Sequence, residues 1–117
     1  MKKLFFLCFL FSYIIPIYGQ QFHIRKGQNK YNTIIYRYDE STKLVREGQT
    51  SYGKILYYKD YNRIRVGQTS YGIVKYTIDG NFIREGDNKN GRILYNIDGN
   101  YIRKGSNKNG EILFNIN

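Results

Sequence analysis

The sequence predicts an all-β fold assembled from repeated hairpins, and three observations carry that prediction. A tetrapeptide recurs five times, as Ile24-Arg25-Lys26-Gly27, Val45-Arg46-Glu47-Gly48, Ile64-Arg65-Val66-Gly67, Ile83-Arg84-Glu85-Gly86 and Ile102-Arg103-Lys104-Gly105. The last four copies start 19 residues apart, a period that makes each repeat one supersecondary unit. Between copies, β-branched and aromatic runs flank turn residues, and Asp79-Gly80 and Asp98-Gly99 stand where a hairpin would reverse.

The chain opens on a segment that reads as an export signal rather than as part of this fold. Lys2 and Lys3 supply a positive start, residues 4–18 form an uncharged, mostly apolar run, and the small residue Gly19 follows. That run falls short of the roughly 20 residues a membrane-spanning helix needs. Cys8 lies inside the run and not at its end, which argues against a lipidated anchor. Cleavage is expected after Gly19, so residues 1–19 are a signal peptide and residues 20–117 a single hairpin domain. The expected location is extracytoplasmic, secreted or periplasmic, with no transmembrane segment after cleavage.

Removing Lys2 and Lys3 leaves 17 lysines and arginines against 9 acidic residues, a formal charge of +8. Without Cys8 the domain holds no thiol, so neither a disulfide nor cysteine chemistry is available to it. A domain of this size must close efficiently on itself, since it buries only about 60–70% of its unfolded surface. Lys, Asn, Ile, Tyr and Phe all have A/T-only codons, so the abundance of tyrosine by itself carries little weight.

Each unit reads as a hairpin followed by a glycine loop. Five residues after the repeat glycine comes Asn32, Gly53, Gly72, Gly91 or Gly110. Nine after it comes Tyr36, Tyr57, Tyr76, Tyr95 or Phe114, and twelve after it Asp39, Asp60, Asp79, Asp98 or Asn117. An Asp-Gly type I′ turn would set Ile97 opposite Asn100, Asn96 opposite Tyr101, Tyr95 opposite Ile102 and Leu94 opposite Arg103. Asp60-Tyr61 breaks the pattern, because tyrosine resists positive φ, and a distorted or longer turn is expected there. The first interval is 21 residues, which places two extra residues within the segment 39–43. The face assigned to the core carries the Tyr/Phe series, the Ile or Val before each arginine, and Ile34, Ile55, Val74, Ile93 and Ile112.

The repeat begins on half a hairpin, residues 22–27, and ends on the complementary half, residues 112–117. Pairing these halves would close a ring and remove both exposed sheet edges. An open hairpin solenoid is the alternative, but it would want atypical capping units, whereas the last two units here are the most regular. The pattern Ile-Arg-x-Gly, then Tyr, then Asp-Gly-Asn resembles the bacterial β-flower proteins, specifically a five-fold β-flower family, over residues 24–117. The resemblance implies hairpins set around a pseudo-five-fold axis and implies no particular biochemical activity. Copy one departs from the pattern at Asn32 and at residues 39–43.

No catalytic constellation is visible, so a non-enzymatic protein without a cofactor is expected. His23 is the lone histidine, at a strand position filled elsewhere by Leu44, Arg63, Phe82 and Tyr101. Each Asp-Gly-Asn turn offers one carboxylate where calcium wants six to eight oxygens, so no metal site is expected. Basic residues interleaved with tyrosine fit a single-strand nucleic-acid binder, but export removes the chain from that partner. Anionic or neutral glycans and other envelope components are the partners a basic exported surface would meet. Two residue series are candidate binding groups. Tyr31, Tyr52 and Tyr71 recur in the glycine loops, beside Asn90 and Asn109 in the last two. Arg25, Arg46, Arg65, Arg84 and Arg103 would form a ring, either as an anion collar or, the favoured reading, with stems packed and heads on solvent or a neighbouring aspartate. The expected function is a binding or interaction module, the alternative a structural or assembly protein with no small ligand.

Overall fold

Backbone geometry at the turns sets the register of every hairpin. The computed structural model describes residues 20–117, and the expected signal segment with its cleavage point lies outside the described residues. The strands are β1 (Gln21–Lys26), β2 (Ile34–Asp39), β3 (Leu44–Glu47), β4 (Ile55–Asp60), β5 (Arg63–Val66), β6 (Val74–Asp79), β7 (Phe82–Glu85), β8 (Ile93–Asp98), β9 (Tyr101–Lys104) and β10 (Ile112–Ile116). Asp98 pairs with Tyr101 and Asp79 with Phe82, so each aspartate is the last strand residue and Gly-Asn is the two-residue loop. Gly80 and Gly99 sit at φ 62° and 63°, and positive φ falls only on the first loop residue, the pattern of a type II′ turn and not of the expected I′. The cause is the aspartate. Its carboxylate accepts from an arginine on the returning strand, which holds it in the ladder.

Pairing therefore moves by two residues: Ile97 faces Ile102 and Asn96 faces Arg103. A shift of two leaves every side chain on its expected face, where a shift of one would have reversed them all. The Asp60 turn is neither longer nor distorted. Tyr61 adopts φ 56° in the place of glycine, and Asp60 still pairs with Arg63. In the first hairpin Asp39 pairs with Leu44, so the two extra residues lengthen that loop to residues 40–43, with Lys43 at φ 63°.

A second correction concerns the core face. Across each glycine loop the ladder carries a β-bulge at the arginine, which pairs Arg25 with Ile34, Arg46 with Ile55, Arg65 with Val74, Arg84 with Ile93 and Arg103 with Ile112. The bulge inserts one residue on the longer strand (Leu56 in β4, Lys75 in β6) and so rotates the Ile34 series away from the core onto the arginine side. Those five residues are only partly buried.

The rest of the expected core face lines the interior in tiers. Ile24, Val45, Ile64, Ile83 and Ile102 form the middle tier, all buried. Ile102 is opposite Ile97 on one flank and opposite Phe114 on the other, which places the tiers to either side. Toward the turns stand Tyr38, Lys59, Ile78, Ile97 and Ile116, all buried, and Phe22 stacks on Tyr38 at 6.2 Å. Toward the glycine loops stands an aromatic tier, Tyr36, Tyr57, Tyr76, Tyr95 and Phe114, in which Tyr36 meets Phe114 and Tyr76 meets both Tyr57 and Tyr95 edge to face at 6.2–6.4 Å. Between the aromatic and lower tiers runs an axial cavity of about 120 Å³.

Closure follows from the termini. β1 pairs antiparallel with β10, Ile24 against Ile116 and Lys26 against Phe114. His23 and Asn117 exchange backbone hydrogen bonds of 2.9 and 3.0 Å. All ten strands form one closed antiparallel barrel, without a free edge. No helix among the described residues is long and apolar enough to cross a membrane.

Candidate functional site

The glycine loops, residues 27–33, 48–54, 67–73, 86–92 and 105–111, all leave the barrel from the same end. Each begins with a repeat glycine at positive φ, from 73° at Gly27 to 95° at Gly67. Each returns tightly: a Cβ at Gly53, Gly72, Gly91 or Gly110 would run into the carbonyl oxygen of Glu47, Val66, Glu85 or Lys104. Asn32 replaces that glycine in copy one and solves the problem differently, donating its Nδ2 to the Lys26 carbonyl at 2.7 Å.

A short side chain braces the middle of every loop. Asn29, Thr50, Thr69, Asn88 and Asn107 accept from the backbone N–H two residues on, at 2.7–3.3 Å. Those N–H groups belong to Tyr31, Tyr52, Tyr71, Asn90 and Asn109, so the candidate residues sit at a fixed point of each loop. Tyr31, Tyr52 and Tyr71 are 81%, 93% and 94% exposed, and they occupy three neighbouring loops around the ring. The Lys30 ammonium lies 5.5 Å from the Tyr31 ring centre.

The arginines hold these loops to the barrel. Arg46, Arg65, Arg84 and Arg103 each donate Nη1 to the carbonyl of Gly53, Gly72, Gly91 or Gly110 at 2.9 Å, and Arg25 donates to Asn32 at 2.7 Å. Nε of Arg65, Arg84 and Arg103 pairs with Asp60, Asp79 and Asp98 at 3.0–3.1 Å. One guanidinium thus ties a turn aspartate to a loop carbonyl, and its planar fork suits two acceptors at once. In the altered first hairpin Arg37 takes Asp39 instead, at 3.0 Å.

A second set of ties went unread in the sequence. The residue after the tier aromatic points outward, yet Thr77, Asn96 and Asn115 are buried there and Arg37 and Tyr58 partly so, because the following glycine loop lies over this position. Asn96 donates to the carbonyls of Gly105 and Asn107, Asn115 to those of Gly27 and Asn29, and Thr77 to that of Gly86. Arg37 does the same to Gln49. The recurring polar type at this position was the available signal. Arg63 adds an ion pair to loop residue Asp87 at 2.7 Å.

His23, Tyr36 and Tyr76 belong to the strands of the barrel. Burial, then Arg25 and Arg37, lowers the pKa of His23. Burial, then neighbouring tyrosines, raises those of Tyr36 and Tyr76. Among the described residues no three His, Cys, Asp or Glu side chains come together.

The tyrosine and arginine series therefore meet in the same loops but face different tasks, the rings outward and the guanidiniums inward onto backbone. No curated protein and no solved structure matches the chain. Residues 24–117 match the family described as 6-fold beta flower protein, so the β-flower resemblance holds while the family is described as six-fold where a five-fold one was expected. The chain belongs to this beta-flower family.

Proposed function

We propose that this chain is an exported, non-enzymatic binding module whose glycine-loop end takes a glycan or another cell-envelope component. The observation that carries the reading is the exposure of Tyr31, Tyr52 and Tyr71 on three adjacent, internally braced loops. A soluble protein has no packing reason to hold three such rings above four-fifths exposure, and flat rings beside amides and hydroxyls suit sugar stacking. Bracing lowers the ordering cost of binding, and repetition lets contacts of about millimolar strength add through effective concentration. The arginines contribute by fixing the loops. The basic surface favours anionic members of the ligand class.

The test is a triple replacement of Tyr31, Tyr52 and Tyr71 by Ser, applied to arrays of glycans, peptidoglycan and lipopolysaccharide. The expected result is binding by the parent and its loss in a variant of unchanged fold. Equal binding by both would overturn the reading. Export is tested separately: protein from its host should begin at or near Gln20, and a mature chain retaining Lys2 and Lys3 would contradict it.

The alternative is an assembly protein without a small ligand. It is favoured by the apolar groups at one loop, Ile73 within it at 79% exposure beside Tyr71 and Val66 at the strand end before it at 49%. Self-association in sedimentation that Ile73→Ser abolishes would support it. We also propose a five-unit arrangement within the family. Five tetrapeptides and ten strands, two per unit, support that count, and a twelve-strand ring in an experimental structure would refute it.

A further inference from the structure

We infer that the barrel axis is a second binding site, taking a slender aliphatic carboxylate with its chain in the cavity and its head at the glycine-loop mouth. The site is separate from the tyrosine rim and does not rest on it.

The cavity wall is apolar. Ile24, Val45, Ile64, Ile83 and Ile102 surround it, with Ile78 toward the turns and the aromatic tier toward the loops. At about 120 Å³ it approaches the roughly 150 Å³ of an apolar cavity that stays dry and admits benzene. Barrels of eight strands are just filled by their own side chains or hold one small ligand, and ten strands make a wider ring. The void is what this ring leaves after its isoleucines are placed.

The mouth is polar and lopsided. Lys26 is directly opposite Phe114, and Glu47, Val66, Glu85 and Lys104 are opposite Tyr36, Tyr57, Tyr76 and Tyr95. Directly opposed residues share a face, so all five stand on the inward side at the barrel's end. Around the ring, Lys26 on β1 and Lys104 on β9 flank Phe114 on β10. They lie two strand spacings apart, about 10 Å, within reach of convergence by long stems. Among the described residues neither forms an ion pair. Phe114 also breaks the circle of phenols, so a chain that passes beside it displaces no hydroxyl. Across the mouth are Glu47 and Glu85, the latter 3.7 Å from Arg92, with the Lys75 ammonium 5.7–5.8 Å from the rings of Tyr57 and Tyr76. A carboxylate at the mouth is thus drawn to the Lys26 and Lys104 pair and to Lys75, and repelled from Glu47 and Glu85. Tyr36 and Tyr76, whose pKa values burial raises further above the ordinary phenol value, are neutral donors around the entrance.

The experiment titrates the purified protein with butyrate, hexanoate, octanoate and 1-hexanol, following the tyrosine ring resonances. Each added methylene should tighten carboxylate binding about fourfold until the cavity is full. Shifts should fall on Tyr36, Tyr57, Tyr76 and Tyr95. The double variant Lys26→Gln/Lys104→Gln, exposed positions that leave the core intact, should weaken hexanoate about tenfold and leave 1-hexanol unchanged. Val45→Phe should fill the cavity and abolish both; if it fails to fold, the chain-length series and the lysine variant still decide. Affinity independent of chain length, indifference to the lysine pair, or shifts confined to Tyr31, Tyr52 and Tyr71 would each overturn the proposal.

Discussion

Arg84 illustrates how much one side chain of this protein holds. Its guanidinium meets Asp79 at 3.1 Å and the Gly91 carbonyl at 2.9 Å while its stem lies opposite Ile93. Lysine lacks the planar fork whose separate nitrogens reach these two acceptors, so Arg84→Lys should cost about 1–2 kcal/mol in denaturant unfolding, and Arg84→Ala more. Gly91 faces the opposite constraint. A methyl there meets the backbone of Glu85, so Gly91→Ala should cost about 2–4 kcal/mol, clearly more than Gly80→Ala, where open space leaves only the positive-φ penalty of about 1 kcal/mol. Tyr61 already carries that penalty, so Tyr61→Gly should stabilise by up to about 1 kcal/mol, read as a higher denaturant midpoint. His23 gives a pH signature. Its pKa lies below 6.5 in the folded protein, so folding favours the neutral ring. The resulting stability is complete above pH 6.5 and is lost as pH falls from there through the folded value. His23→Gln should flatten that part of the stability-versus-pH curve, and an unchanged slope would show that other groups produce it.

At the scale of the element, the hairpin was legible and its details were not. The existence of turns, their spacing and the tyrosine face all follow from periodicity, because a period-two pattern survives a register shift of two. The turn type was hidden because Asp-Gly-Asn suits both a I′ loop at Asp-Gly and a II′ loop at Gly-Asn. An arginine five residues on decides between them, and that tie crosses the hairpin. The bulges were hidden for a related reason: Ile93-Leu94-Tyr95 reads as plain alternation, yet Arg84 pairs with Ile93 while Ile83 pairs with Tyr95. Similarly, the tyrosines at the loop tips were readable as candidates, whereas Asn96 and Asn115, which pin the following loops, act through contacts between units. Asn96→Ala should therefore loosen residues 105–111 specifically. Faster amide exchange at Gly105 and Gly110 with little change elsewhere is the expected outcome, and uniform destabilisation would contradict it.

For the whole molecule, closure is what turns a repeat into a domain. Four units are hairpins of one six-residue and one four-residue strand and the closing unit joins a five-residue to a six-residue strand, each too small to bury its inward face. The aromatic tier and the isoleucine tiers become a core only when the ring is complete, and the last contact, β1 against β10, joins residues 88 to 92 positions apart. Long-range closure of this kind is slow and exposes edges until it is made. Removing residues 112–117 should leave β1 and β9 each paired on one side only, as open edges, and cause aggregation at concentrations where the full chain stays soluble. The most direct test of the account is the protection of the two amides that close the ring, His23 and Asn117, in hydrogen exchange followed by NMR. Closure predicts that both exchange far more slowly than free amides, together with cross-strand contacts between Ile24 and Ile116. Exchange of both at the rate of an unstructured peptide, in a protein otherwise folded, would show that the ring is open.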